Sequence, residues 1–252
     1  MKVFKNYFFP IIVSILFLGS CKKKEDNTPE ATSTQNPGNQ TGNYGVFVSR
    51  KQTVLTNTLL SSFNNFSAAY ISNVPLIGND PTVGSLVDVG NVELNGIVLK
   101  KNAYGAPNMY GDTTNSTYNT PLNWIISGTG SVTSFSFSNT SPYPVYTGYS
   151  AIADSFLISN NISIPLNNYS GVDEIETYFV TSSNPATNTN IQNLTGNPSN
   201  LNFTSTDLNA IGTNSNVTLV INFYKNNTQT INGKSYNFRT GYSLMKSNIK
   251  FK

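Results

Sequence analysis

The pattern of apolar residues restricts this chain to short extended segments. From Tyr44 onward, short apolar runs alternate with clusters of Gly, Asn, Ser and Pro, and no long stretch repeats with the 3.6-residue period of a helix. Two Asn-Gly pairs, at 95–96 and 232–233, lie between apolar runs and predict tight hairpin turns, because both residue types accept positive φ angles. The pattern therefore predicts an all-β fold.

The spacing of the predicted strands indicates how the chain divides. Turn signals recur at intervals of about 8–12 residues, which is typical of β-sandwich domains of about 100 residues. We therefore predict two consecutive β-sandwich domains, at 44–141 and 150–252, with one larger β-sandwich as the alternative. The second range resembles the immunoglobulin-like modules of bacterial surface proteins, although it lacks their Cys…Trp…Cys arrangement. This resemblance implies an architecture and no particular function.

The amino terminus carries a targeting signal. Residues 1–20 contain Lys2, Lys5 and an apolar run at 7–18, which is shorter than the ~20 apolar residues that span a bilayer. The segment 18–21, Leu-Gly-Ser-Cys, resembles the lipobox of bacterial lipoproteins. That resemblance implies that Cys21 receives lipid and that the preceding residues are removed. The alternative is an ordinary secretory signal with an incidental cysteine, but Cys21 is the only cysteine in the chain and cannot form an internal disulfide.

The segment after the cysteine suggests a destination and a linker. Lys24, Glu25 and Asp26 resemble the export signal of Bacteroidota-type surface lipoproteins, which implies the outer face of the outer membrane; a solvated charge run is the alternative. Residues 21–43 contain almost no apolar side chains, so we predict a lipidated, disordered tether. A flexible chain of this length has an end-to-end distance of roughly 25 Å.

Composition limits the chemistry. The chain has no histidine, so the commonest general base and transition-metal ligand is missing. Removing residues 1–20 removes two of 15 basic residues, which leaves 13 against 12 acidic residues and predicts no nucleic-acid partner. We predict no cofactor, no metal site and no catalytic residue. Asp173, Glu174 and Glu176 form the densest acidic cluster; we expect a solvated sheet edge there, with a calcium site as the alternative.

Aromatic side chains supply the predicted ligand-binding residues. Trp124 could stack on a sugar ring, together with Tyr104, Tyr110 and Tyr118 from a loop-like segment rich in Gly, Pro and Asn. The alternative is that Trp124 fills the core and that the tyrosines pack within their loop. In the same segment, Asp112, Thr113 and Thr114 resemble the short O-glycan acceptor motif of Bacteroidota-type exported proteins, with Thr113 as the acceptor.

Three functions follow as hypotheses. The first is a membrane-anchored, non-catalytic binding or adhesion module for a glycan or a surface protein. The second is a structural or assembly component of an outer-membrane complex that uses sheet edges as contacts. The third is a hydrolase that uses a pair of carboxylates.

Overall fold

The fold is known from a computed structural model. It describes residues 42–56, 59–76, 86–130, 132–181, 184–209 and 211–252, without the side chains of 62–64, 184–193, 214 and 215. Cys21, Lys24, Glu25 and Asp26 lie outside the described residues. Strands make up 58% of the structure with almost no helix, so the predicted all-β class is confirmed.

The described elements are short near the middle of the chain and long at both ends. The strands, in chain order, are β1 (Asn43–Thr56), β2 (Leu59–Ile71), β3 (Val92–Leu94), β4 (Ile97–Val98), β5 (Lys100–Lys101), β6 (Tyr110–Gly111), β7 (Leu122–Ile126), β8 (Phe135–Asn139), β9 (Val145–Tyr146), β10 (Ser155–Phe156), β11 (Ile162–Pro165), β12 (Tyr169–Ser170), β13 (Glu174–Thr181), β14 (Asn184–Thr195), β15 (Asn200–Phe203), β16 (Asn214–Ile231) and β17 (Lys234–Phe251). One short helix, α1 (Ser205–Asn209), and two 3-10 turns, at Ala103–Gly105 and Gly148–Ala151, complete them.

A nine-stranded sheet dominates the structure. Its order is β14-β13-β16-β17-β1-β2-β6-β5, and β10 pairs with the end of β17. The first strand, β1, runs parallel to the last strand, β17, and antiparallel to β2. This sheet therefore contains strands from both predicted ranges, 44–141 and 150–252, and the division into two domains stays a prediction.

One face of the central sheet carries two hydrophobic clusters. The first surrounds Phe47 and Phe238 and includes Trp124 from the four-stranded sheet β4-β3-β7-β8. The second surrounds Phe223 and Leu244 and includes residues from the pairs β11-β15 and β9-β12 and from α1. The first cover thus comes from the range 44–141, and the second comes from 150–252 together with β9 between the two ranges.

The predicted hairpins are present where the Asn-Gly pairs occur. Asn95 and Asn232 have φ angles of 48° and 52°, and each begins the turn between two paired strands. The sequence beside the second turn predicts short strands at 229–231 and 235–238; the observed hairpin is longer, because β16 and β17 each have 18 residues. The apolar residues at 152–158 predict a strand over that range, and this prediction is wrong in length, since β10 covers only Ser155–Phe156.

The segment 206–212 has a hydroxyl and a carboxylate at its start and a glycine at its end, which predicts one helical turn, and α1 confirms it. Thr204 Oγ1 accepts a hydrogen bond from the backbone N–H of Asp207, and the Asp207 carboxylate accepts one from the backbone N–H of Thr204. This reciprocal pair satisfies amide groups at the start of the helix. Gly212 follows the helix with a φ of 70°.

Candidate functional site

The predicted stacking residue Trp124 lies in the core. Its side chain is 0% exposed and packs edge-on against Phe47, with ring centroids 5.3 Å apart. The indole N–H of Trp124 has no hydrogen-bond partner. Its strand, β7, alternates buried and exposed residues, and position 124 faces the core side. Stacking on a sugar requires an exposed ring face, and the Trp124 ring has none, so the predicted stacking role is wrong for this residue.

The three predicted tyrosines are held within the fold, two by carboxylates and one by backbone carbonyl oxygens. Tyr118 and Tyr110 are buried, and Tyr104 is half-buried. The Tyr118 hydroxyl donates to Asp112 Oδ2 at 2.9 Å, and the Tyr104 hydroxyl donates to the Asp112 carbonyl oxygen at 2.9 Å. The Tyr110 hydroxyl donates to Asp88 Oδ1 at 2.9 Å. Two of the tyrosines thus meet at Asp112, and the three do not form an exposed ligand surface with Trp124.

Thr113 lies beside the buried carboxylate of Asp112 but points outward. Asp112 is buried, and its Oδ1 accepts hydrogen bonds from the backbone N–H and the hydroxyl of Thr114. Its Oδ2 accepts one from the backbone N–H of Ser116. These bonds fix the loop, whereas Thr113 itself is exposed.

Two members of the acidic cluster, Glu174 and Glu176, lie inside the sheet, so the expectation of a solvated edge is wrong for them; Asp173 precedes the strand and is partly exposed. The strand of the two glutamates, β13, is paired on both sides, with β14 and β16. Glu176 is buried, Glu174 Oε2 lies 2.9 Å from Arg239 Nη2, and Asp173 Oδ1 lies 2.7 Å from Lys225 Nζ. Among the described residues, no group of three or more His, Cys, Asp or Glu side chains could hold a metal ion.

The opposite face of the central sheet carries a buried cluster of polar side chains. We name this set, from adjacent strands, the polar cluster: Arg50, Gln52, Glu174, Glu176, Asn222, Tyr224, Asn226, Arg239 and Ser243. Apart from the partly buried Glu174 and Asn226, all of them are buried. Charged side chains are almost never buried unless they are paired, so this cluster is the main departure from ordinary core composition.

The centre of the polar cluster is a contact across a glycine. Arg50, Gly241 and Tyr224 are cross-strand neighbours on β1, β17 and β16. Arg50 Nη1 donates a hydrogen bond of 2.8 Å to the Tyr224 hydroxyl. A Cβ atom at position 241 would lie 3.1 Å from Arg50 Cγ and 3.1 Å from the Tyr224 ring. Glycine therefore provides the space in which the two long side chains meet.

A second arginine fixes the other side of Tyr224. The guanidinium carbon of Arg239 lies 3.7 Å from the centroid of the Tyr224 ring. Arg239 Nε donates to Asn226 Oδ1 at 2.8 Å, and Asn226 Nδ2 donates to Glu174 Oε2 at 3.1 Å. A cation over an aromatic ring in a dry environment is stabilised by the charge distribution of the ring. Tyr224 is thus bound at its face by one arginine and at its hydroxyl by another.

The neighbouring row of the polar cluster contains two unpartnered atoms. Glu176, Asn222, Ser243 and Gln52 are cross-strand neighbours on β13, β16, β17 and β1. Asn222 Nδ2 donates to Glu176 Oε2 at 2.7 Å. Asn222 Oδ1 and Ser243 Oγ are buried and have no hydrogen-bond partner. Buried polar atoms are nearly always hydrogen-bonded, so these two are exceptions in the core.

Burial and neighbouring charges alter the acidity of the cluster. Burial by itself lowers the pKa of Arg50, but Tyr224, Tyr178 and Glu176 together raise it above its ordinary value. Burial raises the pKa of the Tyr224 hydroxyl. The arginine therefore remains a cation and the tyrosine remains a neutral hydroxyl that can accept its hydrogen bond.

Comparison with known proteins gives no relative. No protein-family model, curated protein or solved structure matches this chain. Within the described ranges, no helix has the length and apolar character needed to cross a membrane.

Proposed function

We propose that this chain is a lipid-anchored outer-membrane protein whose body is a non-catalytic binding module for a glycan or a surface protein. The observation that carries the proposal is the position of the only cysteine, Cys21, at the end of the segment Leu-Gly-Ser-Cys, directly after the apolar run of the predicted signal peptide. Lipid on this residue would tie the chain to a membrane, and two or more acyl chains give stable anchoring.

The start of the described body agrees with such a tether. The first strand, β1, begins at Asn43, which is the last residue of the predicted tether at 21–43. The hydroxyl of Ser235 donates a hydrogen bond of 3.0 Å to Asn43 Oδ1. The backbone carbonyl oxygen of Asn43 accepts a hydrogen bond from the backbone N–H of Leu76. The attachment point is therefore a fixed part of the central sheet.

Lipidation is tested by substituting the acceptor. The Cys21→Ser variant should lose the mass of the diacylglyceryl group, keep its signal peptide and leave the detergent phase on phase separation. The matched control is Ser20→Ala, which keeps a small residue before the cysteine and should be processed normally. A Cys21→Ser protein that is cleaved and still partitions into detergent would overturn the anchor.

Surface display is a separate step. Replacing Lys24, Glu25 and Asp26 together by alanine should leave the protein lipidated but protect it from protease added to whole cells. Equal protease digestion of the variant and the parent protein on intact cells would reject the export signal.

The binding role has its own test. The lipidated protein should retain at least one neutral or charged glycan on an array, or one surface protein by cross-linking on intact cells. If the protein is displayed on the surface but gives neither result, the proposed lipid anchor stands and the proposed binding function is rejected.

A second function, assembly of an envelope complex, is favoured by the contrast between the two ends of the central sheet. One end is β5, which has two residues, both lysine. The other is β14, which has 12 residues and no charged residue, and among the described strands it pairs only with β13. Short or lysine-bearing edges resist pairing with another chain, whereas long uncharged edges invite it.

This second function is tested by placing a charge on the long edge. Thr189→Lys in β14 should dissociate a complex that is isolated by gentle solubilisation. Thr228→Lys, at an exposed site on the interior strand β16, is the control. A complex that survives Thr189→Lys would exclude this edge as its contact.

We further propose that Thr113 is an O-glycan acceptor. Its exposure beside the fixed Asp112 carboxylate supports access for a modifying enzyme. Intact-mass analysis of the native protein should show a sugar mass that is lost in Thr113→Ala and retained in Thr133→Ala, a change at another exposed threonine. An unmodified native mass would reject the proposal.

A further inference from the structure

The two Asn-Gly turns share one backbone conformation. Asn95 and Asn232 have φ angles of 48° and 52°, and the glycines that follow them have φ angles of 81° and 77°. Each Asn-Gly pair is the whole loop of a hairpin, since the residues on either side of it pair with each other. Both asparagines are exposed, and a Cβ atom on either glycine would meet no described atom within 4 Å outside its immediate neighbours. Backbone shape and access to water are therefore nearly the same in the two turns.

Hydrogen bonds hold the side chain of Asn95. Its Oδ1 atom accepts a hydrogen bond of 2.6 Å from the backbone N–H of Asn123, and its Nδ2 atom donates one of 3.3 Å to the carbonyl oxygen of Asn119. The backbone N–H of Asn95 also donates to the carbonyl oxygen of Asn123 at 2.9 Å. The side-chain amide of Asn95 is thus fixed at both ends against β7 and the loop before it.

The side chain of Asn232 is not held in this way. Within the described ranges, none of its side-chain atoms has a hydrogen-bond partner. The turn lies beyond the last residue pair of β16 and β17, Ile231 with Lys234. The side-chain amide of Asn232 is therefore free to rotate in solvent.

An asparagine that precedes glycine can lose ammonia without an enzyme. The backbone nitrogen of the glycine bonds to the side-chain carbon Cγ, the Cγ–Nδ2 bond breaks, and the proton of that nitrogen leaves with the amide group as ammonia. Water then opens the succinimide ring at either carbonyl carbon, which gives aspartate or isoaspartate. Glycine favours the first step because it has no Cβ to obstruct its nitrogen. The side chain must rotate toward that nitrogen, so hydrogen bonds that fix the amide oppose the reaction.

We propose that Asn232 is a site of spontaneous deamidation, with water as the reactant, and that Asn95 is protected by its hydrogen bonds. Two ordinary hydrogen bonds must break before Asn95 can react, which should slow it at least roughly tenfold relative to Asn232. The difference depends on the tertiary structure, because both asparagines precede glycine.

The product places a new negative charge beside the predicted tether. Ser235, just after the turn, pairs with Asn43, the first residue of β1. Lys234 lies at the turn, with its Nζ atom 5.2 Å from the centroid of the Tyr44 ring. A carboxylate at position 232 attracts this ammonium group, and isoaspartate also adds a main-chain atom inside the turn. Deamidation therefore alters the hairpin where the predicted tether joins the sheet.

The experiment ages the intact protein in mildly alkaline buffer made with water enriched in the heavy oxygen isotope. Peptide mapping by tandem mass spectrometry follows each asparagine, and the isotope marks only the residues that react during the incubation. In the native protein Asn232 should convert at least roughly tenfold faster than Asn95. In urea, where both side chains are released, the two rates should become equal.

A substitution at the attacking residue tests the chemistry. Gly233→Asn keeps a residue type that accepts a positive φ, and its side chain hinders the backbone nitrogen, so the reaction at Asn232 should slow several-fold. Gly96→Asn, the same change in the other turn, is the matched control and should leave the rate at Asn232 unchanged.

Three results would overturn the proposal. The first is a native rate at Asn232 that is no faster than the rate at Asn95. The second is a difference that persists in urea, which would trace it to the neighbouring sequence instead of the hydrogen bonds of Asn95. The third is an unchanged rate at Asn232 in the Gly233→Asn variant.

Discussion

Arg50 and Tyr224, 174 residues apart in sequence, meet through a hydrogen bond of 2.8 Å above Gly241. Arg50 lies on β1 and Tyr224 on β16, and β17 runs between them with glycine at the crossing point. The contact therefore joins the first described strand to the last hairpin. It also fixes how β1 aligns with β17, because a shift of one residue would place a side chain where Gly241 now leaves space.

Removal of the guanidinium group should be strongly destabilising. Arg50→Met leaves the Tyr224 hydroxyl without its donor and Glu176 without a nearby cation, and we expect a loss of about 3–5 kcal/mol in the free energy of unfolding. Urea unfolding followed by circular dichroism measures it. Lys100→Met, at an exposed site, is the control and should change little. A loss below about 1 kcal/mol for Arg50→Met would contradict the importance of this contact.

Filling the space at position 241 should disturb the same contact. Gly241→Ala places a Cβ atom against Arg50 and Tyr224, and we expect a loss of about 1–3 kcal/mol from overpacking. Combining it with Tyr224→Leu gives a double-mutant cycle, because the smaller side chain relieves the crowding. Additive losses in the double variant would show that the two positions do not interact.

The emission of the only tryptophan should report a dry environment. Trp124 is fully buried beside Phe47, so its fluorescence should be blue-shifted in the native state and shielded from iodide. Unfolding in urea should shift the emission to the red and expose it to the quencher. Free N-acetyltryptophanamide is the reference for full exposure. Native emission that iodide quenches as efficiently as the reference would place Trp124 on the surface.

Alkaline pH should destabilise the fold through its buried tyrosines. Burial raises the pKa of Tyr104, Tyr110 and Tyr146 to about 12, against about 10 in an unfolded chain. Because the folded-state pKa is raised, the stabilisation is fully present below pH 10 and is lost as the pH rises toward 12. Urea midpoints measured from pH 8 to pH 12 should fall in that window.

Tyr146→Phe isolates one contribution to this loss. The Tyr146 hydroxyl is buried without a hydrogen-bond partner, so its removal should not destabilise the protein at pH 7. The variant should lose less stability than the parent between pH 10 and pH 12. Parallel curves for the two proteins would contradict the raised pKa of this group.

Local sequence signals predicted the parts of the fold that depend on neighbours in the chain. Asn95-Gly96 and Asn232-Gly233 form the expected turns because positive φ angles are a property of the residues themselves. The second strand, β2, was not predicted, since its sequence mixes apolar residues with Ser and Asn and shows no clean alternation. The parallel pairing of β1 with β17 has no local signal, because its partners lie about 190 residues apart.

The polar cluster was not predicted from the sequence for a related reason. Val46, Val48 and Arg50 share one face of β1, and Phe47 lies on the other, so the strand is buried on both faces. A strand of this kind shows no clean alternation, and its arginine gives no sign of burial until the strands beside it are known. Glu176 was expected at a solvated edge because only the sheet order places β13 between two other strands.

The sequence by itself determined the β class, the turn positions and the prediction of a lipidated cysteine, since each depends on residues adjacent in the chain. Only the tertiary structure decided that strands from both halves share one sheet, that Trp124 is core, and that Arg50, Tyr224, Asn222 and Ser243 lie together. The physical reason is that burial and cross-strand contact are set by the whole arrangement of strands, in which each long-range pairing fixes the surroundings of residues far from it in sequence.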